Sequence, residues 1–478
     1  MNTNSDREKS NDSSQALKAG GWYVISSIVV KSVAFISIPI FTRLMTTDEF
    51  GVVATFISWC GILSTFASLN LSYSIGRAKL DFSGNLNTYV GSMQTFSLLF
   101  TGLLSCVGLI FIHETSVLLN MRIPFIVPLL LYLLFTPIIN FVQNQYRYEY
   151  KYKQNIAIAW FVSFGTVALS LVLILTIPGD KAFLRVLGIV IPNIILSIYL
   201  WSISFKTKSV SFNKNYWKYG LTLSVPLVVH TVCMNLLGQS DRIFISSICG
   251  DSETGIYSLV YSYGLILSVV TSAIADGWLP WFHDNYYVGR YELINDYSRK
   301  LVILGCGLGL FSILLAPEAI VILGGYDYLE GLVCVPPIVL GVVCQYIYTH
   351  YVNIELHLKK TKFVSLGTSL AAIINIMLNY FFIPVFGFSA AAFTTLFSYL
   401  VLMILHFLIT RLVLKIKLYN DWFMFGSLAC TCFLSYFITL SYSYNAIRYI
   451  IIGVDIISMI IIFRDYIERL IEKMKIRF

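Results

Sequence analysis

Charge is scarce in this chain. Asp, Glu, Lys and Arg supply 12% of its 478 residues, about half the share of an ordinary soluble domain. Hydrophobic residues make up 57% and the mean hydropathy is +0.76, so most of the chain is expected in lipid. Familiar catalytic chemistry is missing as well. No Gly-x-x-x-x-Gly-Lys-Ser/Thr phosphate loop occurs, which argues against ATP hydrolysis by the chain itself. His-Glu-x-x-His, Cys-x-x-Cys and Gly-x-Ser-x-Gly are absent too. Loops are short; the longest external one, around 317–331, could not house a soluble catalytic domain. The nine cysteines fall mostly within apolar runs, and the close pair Cys430 and Cys432 lacks metal-ligand spacing. Buried, inert thiols are expected. Residues 1–19 are polar and of mixed charge, without a basic segment leading into a short apolar one, and read as a disordered tail that is not a cleavable signal.

What the chain does have is apolar runs. A helix needs about 20 residues to cross a ~30 Å hydrocarbon core, and fourteen such runs fill the sequence. The second is expected at 50–74, the eighth at 254–278 and the ninth at 299–323. The loop between the eighth and ninth (DNYYVGRYELINDYSRK) is amphipathic and is expected along the membrane surface. Of 33 Lys and Arg, 26 lie in the two terminal stretches and the even-to-odd loops. The other seven are Lys31, Arg43, Arg122, Lys181, Arg185, Arg242 and Arg448. That asymmetry predicts both termini on the cytoplasmic side. The net charge of +8 is therefore a topology signal and not one of nucleic-acid binding.

Two stretches echo each other. PIFTRLMTTDEFGVVATFISW (39–59) and QSDRIFISSICGDSETGIYSLVYSY (239–263) each carry an apolar helix into a short polar break and out again from a glycine. An offset of 204 sets Gly51 on Gly255 and Glu49 on Glu253. FVSFGT (161–166) returns as FVSLGT (363–368), an offset of 202. The pattern predicts an internal duplication. The expected fold is an all-α polytopic membrane protein of about fourteen helices: two six-helix lobes related by a pseudo-two-fold, plus two C-terminal helices. The divisions are a cytoplasmic tail at 1–19, an N-lobe at 20–205, a basic linker at 206–217, a C-lobe at 218–411, two further helices at 412–464 and a basic cytoplasmic tail at 465–478.

With no chemistry in the loops, function must lie in the bundle. Lys31 sits midway along helix 1, where a charge is costly unless it meets protein or water; a cavity-facing lysine is expected, a snorkelling one the alternative. Asn235 corresponds to it under the 204 offset. Asp241 and Arg242 lie inside the outer end of helix 7 and serve either an interhelix salt bridge or substrate contact. His230 on the same helix is an interhelix hydrogen bonder or a proton carrier. Arg77 closes helix 2 as a topology anchor or as a portal for an anionic headgroup. Asp455 falls midway in helix 14 and needs a partner or a cavity. Asp276, Glu355 and His357 are expected to be solvated at cytoplasmic helix ends. Pro39, Pro192, Pro226 and Gly102 allow the helices to bend.

Through the SDRIFISSICGDSETGIYSLVYSY and FTRLMTTDEFGVVATFISW stretches, and in its size and layout, the chain resembles the Wzx-type O-antigen and polysaccharide flippases. These belong to the MATE-like multidrug/oligosaccharidyl-lipid/polysaccharide superfamily. The resemblance implies two lobes around a central V-shaped cavity, no enzyme activity and no cofactor or metal. It implies a cargo of undecaprenyl-diphosphate-linked oligosaccharide, carried across the bacterial inner membrane among membrane lipids. Polysaccharide polymerase and chain-length proteins would be partners. Lys31 and Arg242 match, by depth, the cationic residues such cavities carry; Asn235 and Arg77 complete the substrate-facing set. Asp241, His230 and Asp455 form a coupling or structural set. A cation-coupled small-solute or multidrug antiporter is the alternative, although intramembrane carboxylates are few. A glycan polymerase or glycosyltransferase lacks its catalytic loop, and a passive scaffold leaves Lys31 unexplained.

Overall fold

The computed structural model describes residues 3–206 and 211–464. Within them it is all helical, and fourteen helices are long and apolar enough to cross a membrane. They are α1 (Gly20–Leu44), α2 (Thr47–Ser68), α3 (Leu86–Ile110), α4 (Ile123–Tyr148), α5 (Tyr152–Thr176), α6 (Lys181–Ser204) and α7 (Lys214–Ile248). They continue as α8 (Asp251–Val288), α9 (Tyr291–Leu314), α10 (Tyr326–His357), α11 (Thr361–Phe386), α12 (Ser389–Val413), α13 (Asp421–Ser443) and α14 (Asn445–Ile462). This is a multi-pass membrane protein. Residues 207–210 of the basic linker and the basic tail at 465–478 lie outside the described residues.

Local chemistry sets the boundaries. Thr46 and Glu49 open α2 with a reciprocal capping box (Glu49 N to Thr46 Oγ1 3.2 Å, Thr46 N to Glu49 Oε2 2.9 Å), satisfying two of the backbone donors a helix start leaves unpaired. Asn213 and Asn420 cap α7 and α13 from their side chains.

Four expectations need correction. The N-terminal stretch is not a disordered tail: the helix containing α1 begins at Thr3, since extending a nucleated helix is far easier than starting one. α2 stops at Ser68 and not near 74, because Leu69 and Asn70 take left-handed conformations (φ 46° and 51°). The amphipathic stretch after α8 is not an open loop. α8 runs on to Val288, Gly289 turns the chain at φ +80°, and α9 starts at Tyr291; the amphipathic stretch is helical on both sides of that turn. Finally, the cysteines are not uniformly buried, for Cys106 and Cys430 are exposed.

The chain divides into two compact units, Met1–Gly255 and Ile256–Phe478. In the first, Phe56 of α2, Phe125, Ile126 and Leu129 of α4 and Val186 and Val190 of α6 belong to one buried cluster. An aromatic knot of Phe82, Tyr89, Tyr216 and Tyr219 ties the start of α7 to α3. In the second, α10 is the most enclosed helix and α14 the most exposed. The repeated glycines fall on corresponding elements: Gly165 on α5 meets Pro192 of α6, and Gly367 on α11 meets His406 of α12.

α14 is held by one buried cation. Arg448 (1% exposed) bonds Glu318 through its two terminal guanidinium nitrogens, Nη1 and Nη2 (2.8 and 2.5 Å), and also Asn445 Oδ1 (2.9 Å). Burial raises the Glu318 carboxyl, but bonds from the Tyr449 hydroxyl, its own backbone and Arg448 outweigh this and hold it below its ordinary range. Arg448→Ala is expected to lower stability by about 2 kcal/mol, the worth of a charged hydrogen bond less what a partly exposed Glu318 regains from water. A carboxyl lowered on folding adds stability that is present above its unfolded value of about 4.3 and fades as pH falls through the folded one. Melting curves between about pH 3 and pH 5 should therefore lose part of their acid slope in Arg448→Ala.

Candidate functional site

The site is a polar seam between α2 and α7, within the first unit. Gly51, Ser58 and Thr65 recur every seven residues on α2, with Gly61 between them. On α7, Thr231, Asn235, Gln239 and Arg242 recur every three or four. Both spacings place their residues on one helical face. The partners run in opposite order: Ser58 Oγ donates to Gln239 Oε1 (3.1 Å). Asn235 Nδ2 donates to Gly61 O (3.1 Å) and Thr65 Oγ1 (2.7 Å). Asn70 Nδ2 donates to Thr231 Oγ1 (3.2 Å). The helices are thus antiparallel. Small residues bring such helices close, and amides and hydroxyls join them where lipid offers no partner.

One end of the seam is closed by backbone. A Cβ on Gly51 would lie 1.7 Å from Asp251 O and 2.8 Å from Gly255 N. A Cβ on Gly255 would lie 2.1 Å from Thr47 O and 3.1 Å from Gly51 N. Under the 204 offset Thr47 corresponds to Asp251, so each glycine rests on the other's equivalent neighbour, as in a two-fold contact. Thr47 Oγ1 and Ser252 Oγ hydrogen-bond at 2.7 Å beside them. The seam runs from Gly51 to Asn70, and its helical part, Gly51 to Ser68, rises about 26 Å, close to a hydrocarbon core.

Several residues singled out from the sequence meet here. Asn235 is a central bridge. Arg242 is buried (7% exposed), its Nη1 donating to Gly238 O and Gln239 Oε1 (both 3.1 Å). Asp241 is more deeply buried (1%). His230, part-buried on α7, leaves its Nδ1 without a partner among the described residues.

The remaining candidates lie elsewhere. Arg77 is exposed on the short helix Ile75–Asp81, with Nε 3.1 Å from Asp81 Oδ2. Asp81 also accepts from Tyr219 Oη of α7 (2.6 Å); that bond first, then Arg77, holds its carboxyl below the ordinary range. Lys31 is exposed on α1, and no partner of its ammonium is seen among the described residues. Asp455 is part-buried on α14. Asp276 is exposed as expected, but Glu355 is not solvated: it is wholly buried against His406. α12 packs along α10 and supplies the His406 that meets the carboxylate. His357 is joined to His283 of α8 (Nδ1 to Nδ1 2.7 Å).

Ser58, Gly61, Thr65 and Gln239 were not singled out from the sequence. Their three-, four- and seven-residue spacing was the available signal, and it is easily missed because each is an unremarkable residue inside an apolar run.

Comparison with known proteins identifies the family and the fold. Residues 16–285 match the sequence family described as "Polysaccharide biosynthesis protein". A curated relative is the Lsg locus protein 1 of Haemophilus influenzae, 24% identical over 304 residues, covering 62% of this chain and 70% of that one. Among solved structures, the Lipid II flippase MurJ in an inward closed conformation aligns with a TM-score of 0.65 at 14% identity, over 93% of this chain and 99% of that one. An inward-facing multidrug resistance transporter of the MATE family aligns with a TM-score of 0.64 at 12% identity, over 80% and 94%. The fold is of the MurJ and MATE type.

Proposed function

Because this chain belongs to the polysaccharide biosynthesis protein family, we propose that it moves a lipid-linked oligosaccharide across the bacterial cytoplasmic membrane. The cargo is an undecaprenyl-diphosphate-linked repeat unit for O-antigen or another surface polysaccharide. The chain acts as a transporter and not as an enzyme. The observation that carries the reading is family membership joined to a polar seam that runs through an otherwise apolar bundle. Such a cargo has an apolar tail that can stay in lipid and a diphosphate and glycan that cannot. Moving it requires a hydrated, weakly cationic path and no covalent step. Two repeat lobes, 20–205 and 218–411, rocking about a shared site supply alternating access. Lys31 and Arg242 supply positive charge, and Asn235 supplies neutral hydrogen bonds. Arg77 meets the headgroup at the cytoplasmic end, and the Gly51–Gly255 contact opens and closes the outer end. The bias of Lys and Arg supports a cytoplasmic location for both termini. Polymerase and chain-length proteins take up the product outside.

The antiporter reading draws support from Glu355, a fully buried carboxylate on α10. A deletion strain separates the two. Lipid-linked oligosaccharide should accumulate on its cytoplasmic face, and plasmid-borne protein should clear it. Unchanged surface glycan with no such accumulation would overturn the flippase reading.

A further inference from the structure

Gln239 joins two other members of the seam through a single oxygen. Its Oε1 accepts from Ser58 Oγ of α2 and from Arg242 Nη1, three residues on along α7, each at 3.1 Å. A guanidinium only donates, so the atom facing it is the amide oxygen, and that fixes which way the amide points. The side chain crosses α2 at Gly61, where a Cβ would lie 3.7 Å from Cγ and 4.0 Å from Cδ and Nε2.

The two contacts differ in permanence. Ser58 has one hydroxyl proton and a second acceptor within reach, Ala54 O at 2.9 Å on its own helix. It can give up the seam bond and stay satisfied. Gln239 and Arg242 share a helix, where residues three apart are neighbours, so their bond does not depend on where α2 lies. Gln239 is therefore a partner for Arg242 whether the seam is packed or parted.

The kind of oxygen matters as well. A carboxylate at this position would hold a guanidinium more strongly but would cancel its charge. The amide oxygen is neutral, as is the Gly238 carbonyl that also accepts from Nη1 (3.1 Å). Each orients the cation and leaves its charge in place. We propose that Gln239 is a positioning residue, which keeps the Arg242 guanidinium aimed at the anionic group of the cargo without neutralising it. The anion is that of the flippase reading, a lipid-linked diphosphate, and the role of Gln239 rests on it.

Binding to the purified full chain in detergent tests this role. Undecaprenyl diphosphate without a glycan is the anionic probe and undecaprenol the neutral one. The parent should bind the diphosphate more tightly. Gln239→Met has similar length but no strong acceptor. It should weaken diphosphate binding by about tenfold, in keeping with the loss of a charged hydrogen bond, and leave undecaprenol binding as it was. In an Arg242→Gln background the same change should add almost nothing, because two residues acting through one contact are not additive. A residue that merely latched α2 to α7 would weaken both probes, and in either background. Gln239→Glu keeps an oxygen for both donors and provides the test if Gln239→Met fails to assemble; it too should lose the preference for the diphosphate, because it cancels the charge. A parent that binds both probes alike would overturn the anion of the flippase reading and the role of Gln239 with it. A parent that prefers the diphosphate, with Gln239→Met equal to it or equally harmful in the Arg242→Gln background, would overturn the role of Gln239 alone. Parent-like diphosphate binding by Gln239→Glu would do the same.

Discussion

Gly51→Ala should cut surface glycan export by at least about tenfold while leaving the protein in the membrane, and Gly255→Ala should do the same. The new methyl has nowhere to go. On Gly51 it would stand 1.7 Å from the Asp251 carbonyl oxygen and on Gly255 2.1 Å from that of Thr47, and both neighbours are backbone, which cannot rotate aside. Overpacking of this kind costs about 1–3 kcal/mol, relieved only by drawing the first turns of α2 and α8 apart. A shift of that size changes the balance between two arrangements by about fivefold to more than a hundredfold. A transporter that must close this end in each cycle would be stalled by it. Gly238→Ala is the control: it lies in the same seam, yet a Cβ there meets nothing within 4 Å, and it should export nearly normally. Full export by Gly51→Ala at normal protein levels would remove the contact from the transport cycle.

Lys31 carries the second large effect. The residue is exposed on α1, and at mid-helix depth a lysine persists where water or an anion reaches its ammonium. We propose that it faces the cargo's path and attracts the diphosphate. A charged hydrogen bond is worth about 1.5–3 kcal/mol, so Lys31→Ala should lower export by about tenfold to a hundredfold without disturbing insertion. Lys31→Arg should retain part of the activity, keeping the charge but changing headgroup shape and hydration. Lys31→Glu should be worse than Lys31→Ala, since it adds repulsion to the lost contact. Equal activity for the alanine and glutamate variants would show that attraction of an anion is not the role.

The fold was largely legible because the bilayer imposes it. Fourteen apolar runs became fourteen helices, and Gly51 and Gly255 fell in the first turns of the second and eighth. What hydropathy could not reveal were boundaries set by single backbone conformations, at Leu69–Asn70 and Gly289. The site was legible in part. Asn235 and Arg242 were visible as polar groups in an apolar helix, but Ser58, Gly61 and Thr65 were masked by their apolar neighbours. Glu355 was misread for a physical reason: two residues from a helix end, a carboxylate is ordinarily solvated, and nothing in its local sequence revealed His406, 51 residues on.

The most direct measurement is movement of the cargo by the purified chain. Vesicles containing the protein and a labelled undecaprenyl-diphosphate oligosaccharide would be exposed to a membrane-impermeant reagent that oxidises the glycan. In vesicles with the parent chain the inner-leaflet pool should become accessible, more slowly with Lys31→Ala, and in empty vesicles it should stay protected. An inner pool as well protected as in empty vesicles, with a preparation whose gene restores surface glycan to the deletion strain, would contradict the account.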